Sequence, residues 1–223
     1  ARPQLTLKSA ADWPDFNRVL ATLAADAPRG ELPRAFLGQQ NYWTLVGVDG
    51  GGQRSALLSE DGALEVGRGG YSLEPTVIGN DGTRVTWADV KSTHTLREGR
   101  LPLPAVHWAH AAFTLDVEAT ADGTREAPQL LGRYTLHNRS TRAQRLTLQL
   151  TLRPWQVNPP QQFLSTPGGA SRVQTLRWDG QGLAADGRPP LRFTVVPQTV
   201  GALPFDGGVG HAAGRDLPVE AIG

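Results

Sequence analysis

From Leu130 to Asn158 the chain alternates apolar and polar side chains. In its second half Leu146, Leu148, Leu150 and Leu152 fall on one side, and Arg145, Thr147, Gln149, Thr151 and Arg153 on the other. A period of two is the signature of a strand with one wet face. The first half alternates less strictly, with Leu130, Tyr134 and Leu136 against Arg133, Thr135 and His137. Asn138 to Ala143 is a polar turn between them, so the pattern predicts a long hairpin. Burying the four leucines contributes roughly 6–12 kcal/mol as an upper bound. An isolated hairpin cannot bury them, so a second sheet must cover the leucine face.

The remaining pattern is mostly strand and turn. An edge strand is expected within residues 1–8, and a helix from Ser9 to Ala27, with Asp12 as its cap, Pro14 in its first turn and Pro28 and Gly30 ending it. From Phe36 onward short strands are predicted at Tyr42–Val48, Ser55–Ser59, Ala63–Val66, Glu74–Gly79, Thr83–Val90, Ala105–His110, Ala112–Ala119, Arg172–Trp178 and Leu191–Val196. Asn80-Asp81-Gly82 marks a hairpin between two of them. Turns every eight to twelve residues indicate an all-β fold, a large antiparallel sandwich with one short N-terminal helix. The expected division is an N-terminal extension over 1–35 and a sandwich domain over 36–223, with no linker after residue 36.

Composition narrows the function classes. Gly 26 and Pro 17 suit many short strands. A net charge of +1 gives no case for a nucleic-acid surface, and no apolar run reaches the length of a membrane span. The absence of cysteine excludes disulfides, thiolate metal sites and a thiol nucleophile, and fits an exported bacterial protein. The chain also lacks methionine and stops at Val219-Glu-Ala-Ile-Gly223, so a fragment of a longer protein is expected.

Candidate chemistry is sparse. His107 and His110 lie three apart, a spacing that suits a metal on a helix but sends side chains to opposite faces of a strand. No metal or other cofactor is expected, and outward surface histidines are the favoured account. Asp61, Asp81, Asp122 and Asp179 each precede glycine and read as turn formers. Glu74 and Asp89 are the carboxylates with the best case for a further role. Asn138-Arg-Ser140 is a formal glycosylation sequon in a turn, and neither a dinucleotide fingerprint, a P-loop nor a nucleophile elbow is present. Trp43, Trp87, Trp108 and Trp178 sit within strand patterns and read as core.

The candidate site is the stretch after Pro154, which must end its strand. Trp155, Gln156, Asn158, Gln161 and Gln162 combine an indole with amides. An indole can cover the apolar face of a pyranose, and amides match sugar hydroxyls in donating and accepting. The structural alternative is that Trp155 plugs one end of the sandwich while the amides tie down a proline-rich loop.

Several segments bear on the wider protein: Asn41-Tyr-Trp-Thr-Leu-Val-Gly-Val-Asp49, Leu58-Ser-Glu-Asp-Gly62, Val85-Thr-Trp-Ala-Asp-Val90, Leu101-Pro-Leu-Pro104 before Trp108, and Leu152-Arg-Pro-Trp-Gln-Val-Asn-Pro-Pro160 through Phe163-Leu164. Together they resemble a segment of large bacterial multidomain proteins similar to glycoside hydrolases of the helical-toroid type, some with discoidin-like modules. The likeness covers about residues 36–205. It implies a super-sandwich, the galactose-mutarotase-like fold, preceding an (α/α)6 catalytic barrel. The catalytic carboxylates of such enzymes lie on the barrel, so the resemblance assigns no catalytic residue here.

The expectation is a non-catalytic module of a carbohydrate-active protein. Its partners would be carbohydrate and an adjoining catalytic domain of the parent chain. The alternatives are a stand-alone mutarotase, epimerase or lyase-like sugar enzyme, and a free carbohydrate-binding module.

Overall fold

A computed structural model describes residues 22–67, 69–157, 169, 171, 173–202, 215–216 and 220–222. The expected edge strand within 1–8 and most of the expected helix lie outside them. Residues 22–26 are helical, Ala27 N–H closes the last turn on Leu23 O at 3.0 Å, and Gly30 follows with φ +98. The fold is all-β and antiparallel, in two compact units, Ala1–Ser171 and Arg172–Gly223. The boundary falls where the sequence shows no linker.

Among the described residues, the first unit holds two sheets. In one, β1 (Trp43–Val46), β2 (Ala56–Ser59), β3 (Leu64–Glu65), β4 (Ser72–Ile78) and β10 (Thr147–Arg153) run side by side, with β5 (Arg84–Val85) also on β4. In the other, β6 (Lys91–Arg97), β7 (Leu101–Ala109), β8 (Phe113–Gly123) and β9 (Pro128–Asn138) form a meander. The hairpin expected over 130–158 is therefore corrected. β9 pairs with β8 and β10 with β4, so the two alternating segments belong to different sheets. The polar residues between them make a crossover. Ser140 N–H and Oγ–H donate to Asn138 Oδ1 at 2.9 Å each, and Asn138 Nδ2 donates to Arg142 O at 2.8 Å. These local bonds serve the turn without requiring the flanking strands to pair.

Register explains why the leucines still point inward. Leu58, Leu64, Leu73 and Leu152 stand opposite one another across β2, β3, β4 and β10. The first three are buried; Leu152, like Leu148 and Leu150, is half-buried because β10 is an edge strand. The facing layer comes from alternation in β8, where Phe113, Leu115, Val117 and Ala119 are all buried. Val106 and Trp108 of β7 stand beside Val117 and Leu115. Trp108 Nε1 donates to Asp61 O at 3.1 Å, which ties the second sheet to the β2–β3 turn. Gly62 takes φ +86 in that turn, and Gly132 on β9 leaves room for Leu64, whose Cδ1 would lie 2.8 Å from a Cβ there. Both glycines thus permit close approach of the sheets.

Other expectations change in detail. The strand expected over Thr83–Val90 is only Arg84–Val85, after which a 3-10 turn at Trp87–Asp89 intervenes. Thr86 and Asp89 form a capping box around that turn, which accounts for Asp89 structurally. β6 follows as a strand the pattern did not reveal. The Asn80-Asp81-Gly82 hairpin is present, joining β4 to β5. Trp108 is core, whereas Trp43, Trp87 and Trp178 are half-buried.

In the second unit β11 (Thr175–Trp178), β12 (Gly182–Ala185), β13 (Leu191–Arg192) and β16 (Glu220–Ile222) form a sheet in the order β13-β12-β11-β16. β14 (Gly201–Ala202) pairs separately with β15 (Arg215–Asp216). Asp179 builds the β11–β12 turn by accepting from Gln181 N–H at 2.9 Å and Gly182 N–H at 2.6 Å. Those bonds hold its carboxyl below the usual range.

Candidate functional site

The face of the first sheet turned away from Leu58, Leu64, Leu73 and Leu152 carries a buried polar patch. Glu65, Ser72, Thr76 and Arg153 on it are buried. Arg153, expected on a wet face, is corrected to a buried position, since the segment that follows folds back over it. The guanidinium lies 5.8 Å from the Trp155 ring centroid, and Phe36 meets that ring edge-on at 5.9 Å. Trp155 is 1% exposed, so its indole offers no open face to a pyranose in this structure.

The same segment is latched through its backbone. Val157 N–H donates to Glu65 Oε2 at 2.7 Å, and Gly69 N–H to Glu65 Oε1 at 3.0 Å. Asn41 Nδ2 donates to Val157 O at 3.0 Å. Gln156 is buried, and its N–H donates to Gly169 O at 2.8 Å. A buried carboxylate taking two backbone donors is a strong tie, because its alternative is an uncompensated charge. Trp155 and Gln156 are thereby brought together in packing. Asn158, Gln161 and Gln162 lie outside the described residues.

Glu74 is in the same polar layer. It accepts from Ser72 Oγ at 3.0 Å, and its Oε2 is 3.6 Å from Arg153 Nε. Burial raises its pKa, against the lowering effect of Arg153 and the Ser72 hydroxyl. Asp61 sits in the β2–β3 turn as read, and its side chain is in addition buried and held by Arg34, whose Nε and Nη2 donate to it at 2.7 and 2.5 Å. Arg34 also stacks over Trp87 at 4.9 Å.

An open polar surface is found on the outer face of β6–β9. Pairing aligns Thr93, His107, Asp116 and Thr135 in one row, and Thr95, Ala105, Glu118 and Arg133 in the next. His107 Nδ1 is 2.7 Å from Asp116 Oδ1, and its Nε2 is 2.8 Å from Thr95 Oγ1. With Nδ1–H donating to the Asp116 carboxylate, the neutral tautomer of the ring would leave Nε2 to accept the Thr95 hydroxyl. This order orients an imidazole towards a hydroxyl, as in general-base activation. Beside it, Arg133 Nε donates to Glu118 Oε2 at 2.5 Å, and Arg97 Nη2 lies 3.6 Å from Glu118 Oε1. These groups rim a shallow depression of about 220 Å³ in which Leu103, Thr120 and Leu131 also take part.

His110 lies just past the end of β7. Its Nδ1 accepts from Ala112 N–H at 3.2 Å, and its ring leans on Phe113 at 4.8 Å. The outer-face set was missed because its members come from four strands. The available signal was the i, i+2 spacing of Asp116 with Glu118 and of Arg133, Thr135 and His137. Comparison with known proteins yields no match: no family model, no curated protein and no solved structure is significantly similar to this chain.

Proposed function

We propose that this chain is a non-catalytic sandwich module of a carbohydrate-active protein, galactose-mutarotase-like in type, that supports a catalytic neighbour and contacts sugar through the outer face of β6–β9. The observation that carries the reading is the pair Glu118 and Arg133 at a shallow, partly apolar depression, with His107 and Asp116 in the neighbouring row of the same face. A guanidinium that donates beside a carboxylate that accepts suits sugar hydroxyls, which do both, and the leucine side chains suit the C–H face of a ring. The supporting role draws on Glu65, Asp61 and Arg153, which are committed to holding the fold. Trp155 and its latch belong to that scaffold.

The Thr95–His107–Asp116 order favours a second reading, a sugar enzyme working by general acid–base chemistry. One experiment separates the two. The labelled chain is probed on a glycan array, and interconversion of sugar anomers or epimers and eliminative cleavage are assayed in parallel. Binding without turnover supports the module; turnover lost in His107→Ala establishes the enzyme. Neither binding nor turnover overturns both readings. An (α/α)6 barrel encoded beyond residue 223 would support the buttressing role.

A further inference from the structure

The depression on the β6–β9 face is not charge-neutral. Its lining includes two guanidinium groups, Arg97 and Arg133, and one carboxylate, Glu118. Asp116, one row away, is taken up by His107. Arg133 directs Nε and Nη2 at a single oxygen of Glu118, which fixes its plane. Arg97, at 3.6 Å from the other oxygen, is beyond hydrogen-bond distance and is 53% exposed. A guanidinium has five N–H donors in a rigid fork, shaped to chelate a carboxylate. Leu103 and Leu131 add apolar surface to the lining, and Leu131 is 49% exposed.

A largely exposed guanidinium, ion-paired with Glu118 at 3.6 Å without a hydrogen bond to it, beside exposed leucine surface suits a ring that carries a carboxylate on one edge and C–H groups on its face. We infer that the ligand of this face is an acidic saccharide, a uronate-containing oligosaccharide whose carboxylate is held by Arg97. The inference rests on the carbohydrate-contact reading and adds the charge of the sugar. Arg133, clamped by Glu118, presents its remaining donors to ring hydroxyls.

The test is calorimetric titration of the full chain with oligogalacturonate, oligomannuronate and oligoglucuronate, each beside its methyl ester. The ester keeps the ring and removes the charge. At least one acid form is expected to bind at least tenfold more tightly than its ester, with affinity falling as salt is added. Arg97→Gln is expected to abolish that preference without moving the unfolding midpoint, since the side chain is exposed. Equal binding of acid and ester, or binding of neutral glycans only, overturns the acidic-sugar inference and leaves the carbohydrate-contact reading standing. Equal affinity for polyglutamate shows charge recognition without a sugar and also overturns it. Failure of every glycan to bind overturns both.

Discussion

Glu74 is caught between a favourable pair and an unfavourable medium. Arg153 and the Ser72 hydroxyl stabilise its charged form, yet desolvation outweighs them and its pKa is raised from 4.5. The folded protein then holds the proton at a pH where the unfolded chain has released it. This group's contribution to stability is full below pH 4.5 and is lost as pH rises through the raised value. Glu74→Gln keeps an acceptor for Ser72 and removes the titration. Relative to the wild type, the variant is expected to gain stability from pH 4 to pH 8, by about 1.4 kcal/mol per unit of upward shift. Thermal melts of both proteins across that range check this, and a constant difference would show that Arg153 compensates fully. Trp155 belongs to the same layer. Trp155→Ala is expected to cost about 3–5 kcal/mol in denaturant unfolding, as for other buried tryptophans. An unchanged midpoint with weakened glycan binding would return Trp155 to the sugar site. The Trp155 position was legible only as two open alternatives. Indole and amide side chains serve a buried latch and a sugar groove equally well, and the latch depends on the tie between Val157 and Glu65, ninety-two positions apart.

At the scale of the element, alternation told the facing of β10 but not its partner. Leu148, Leu150 and Leu152 turn to the core as expected, while pairing is with Ser72–Ile78 and not with the preceding strand. Period two records which side is wet; the neighbouring strand is chosen by cross-strand fit along the ladder. The missed strand β6 has the opposite problem: most of its residues are exposed, so no apolar stripe announces it. The facing of β10 makes a paired test. Leu150→Asp places an unpaired charge on the half-buried inner face and is expected to cost about 2–4 kcal/mol. Thr147→Asp, exposed on the other face, is expected to cost no more than about 1 kcal/mol. Equal effects in chemical denaturation would refute the assigned facing.

At the scale of the molecule, sequence reasoning reached the class of the fold because turn spacing and alternation repeat along the whole chain. The division after Ser171 was not legible. No run of linker composition marks it, and strands are equally short on either side. The physical difference lies in the cores. Trp108, Leu115, Val117, Leu58, Leu64 and Val77 are buried between the two sheets of the first unit, whose ladders close among strands within residues 43–153. The second unit is built from strands of two to four residues, and Ala185 is its buried apolar residue among those described. Stability follows apolar area removed from water, so the first unit should carry nearly all of the cooperative unfolding. A chain ending at Ser171 retains both sheets and the Glu65 latch. Its melting midpoint is expected to stay within about 5 °C of the intact protein, roughly 2 kcal/mol for a domain of this size. Near-ultraviolet circular dichroism would show whether Trp108 and Trp155 keep their packing. A non-cooperative melt in the shortened chain would mean that the sandwich needs residues 172–223 to close.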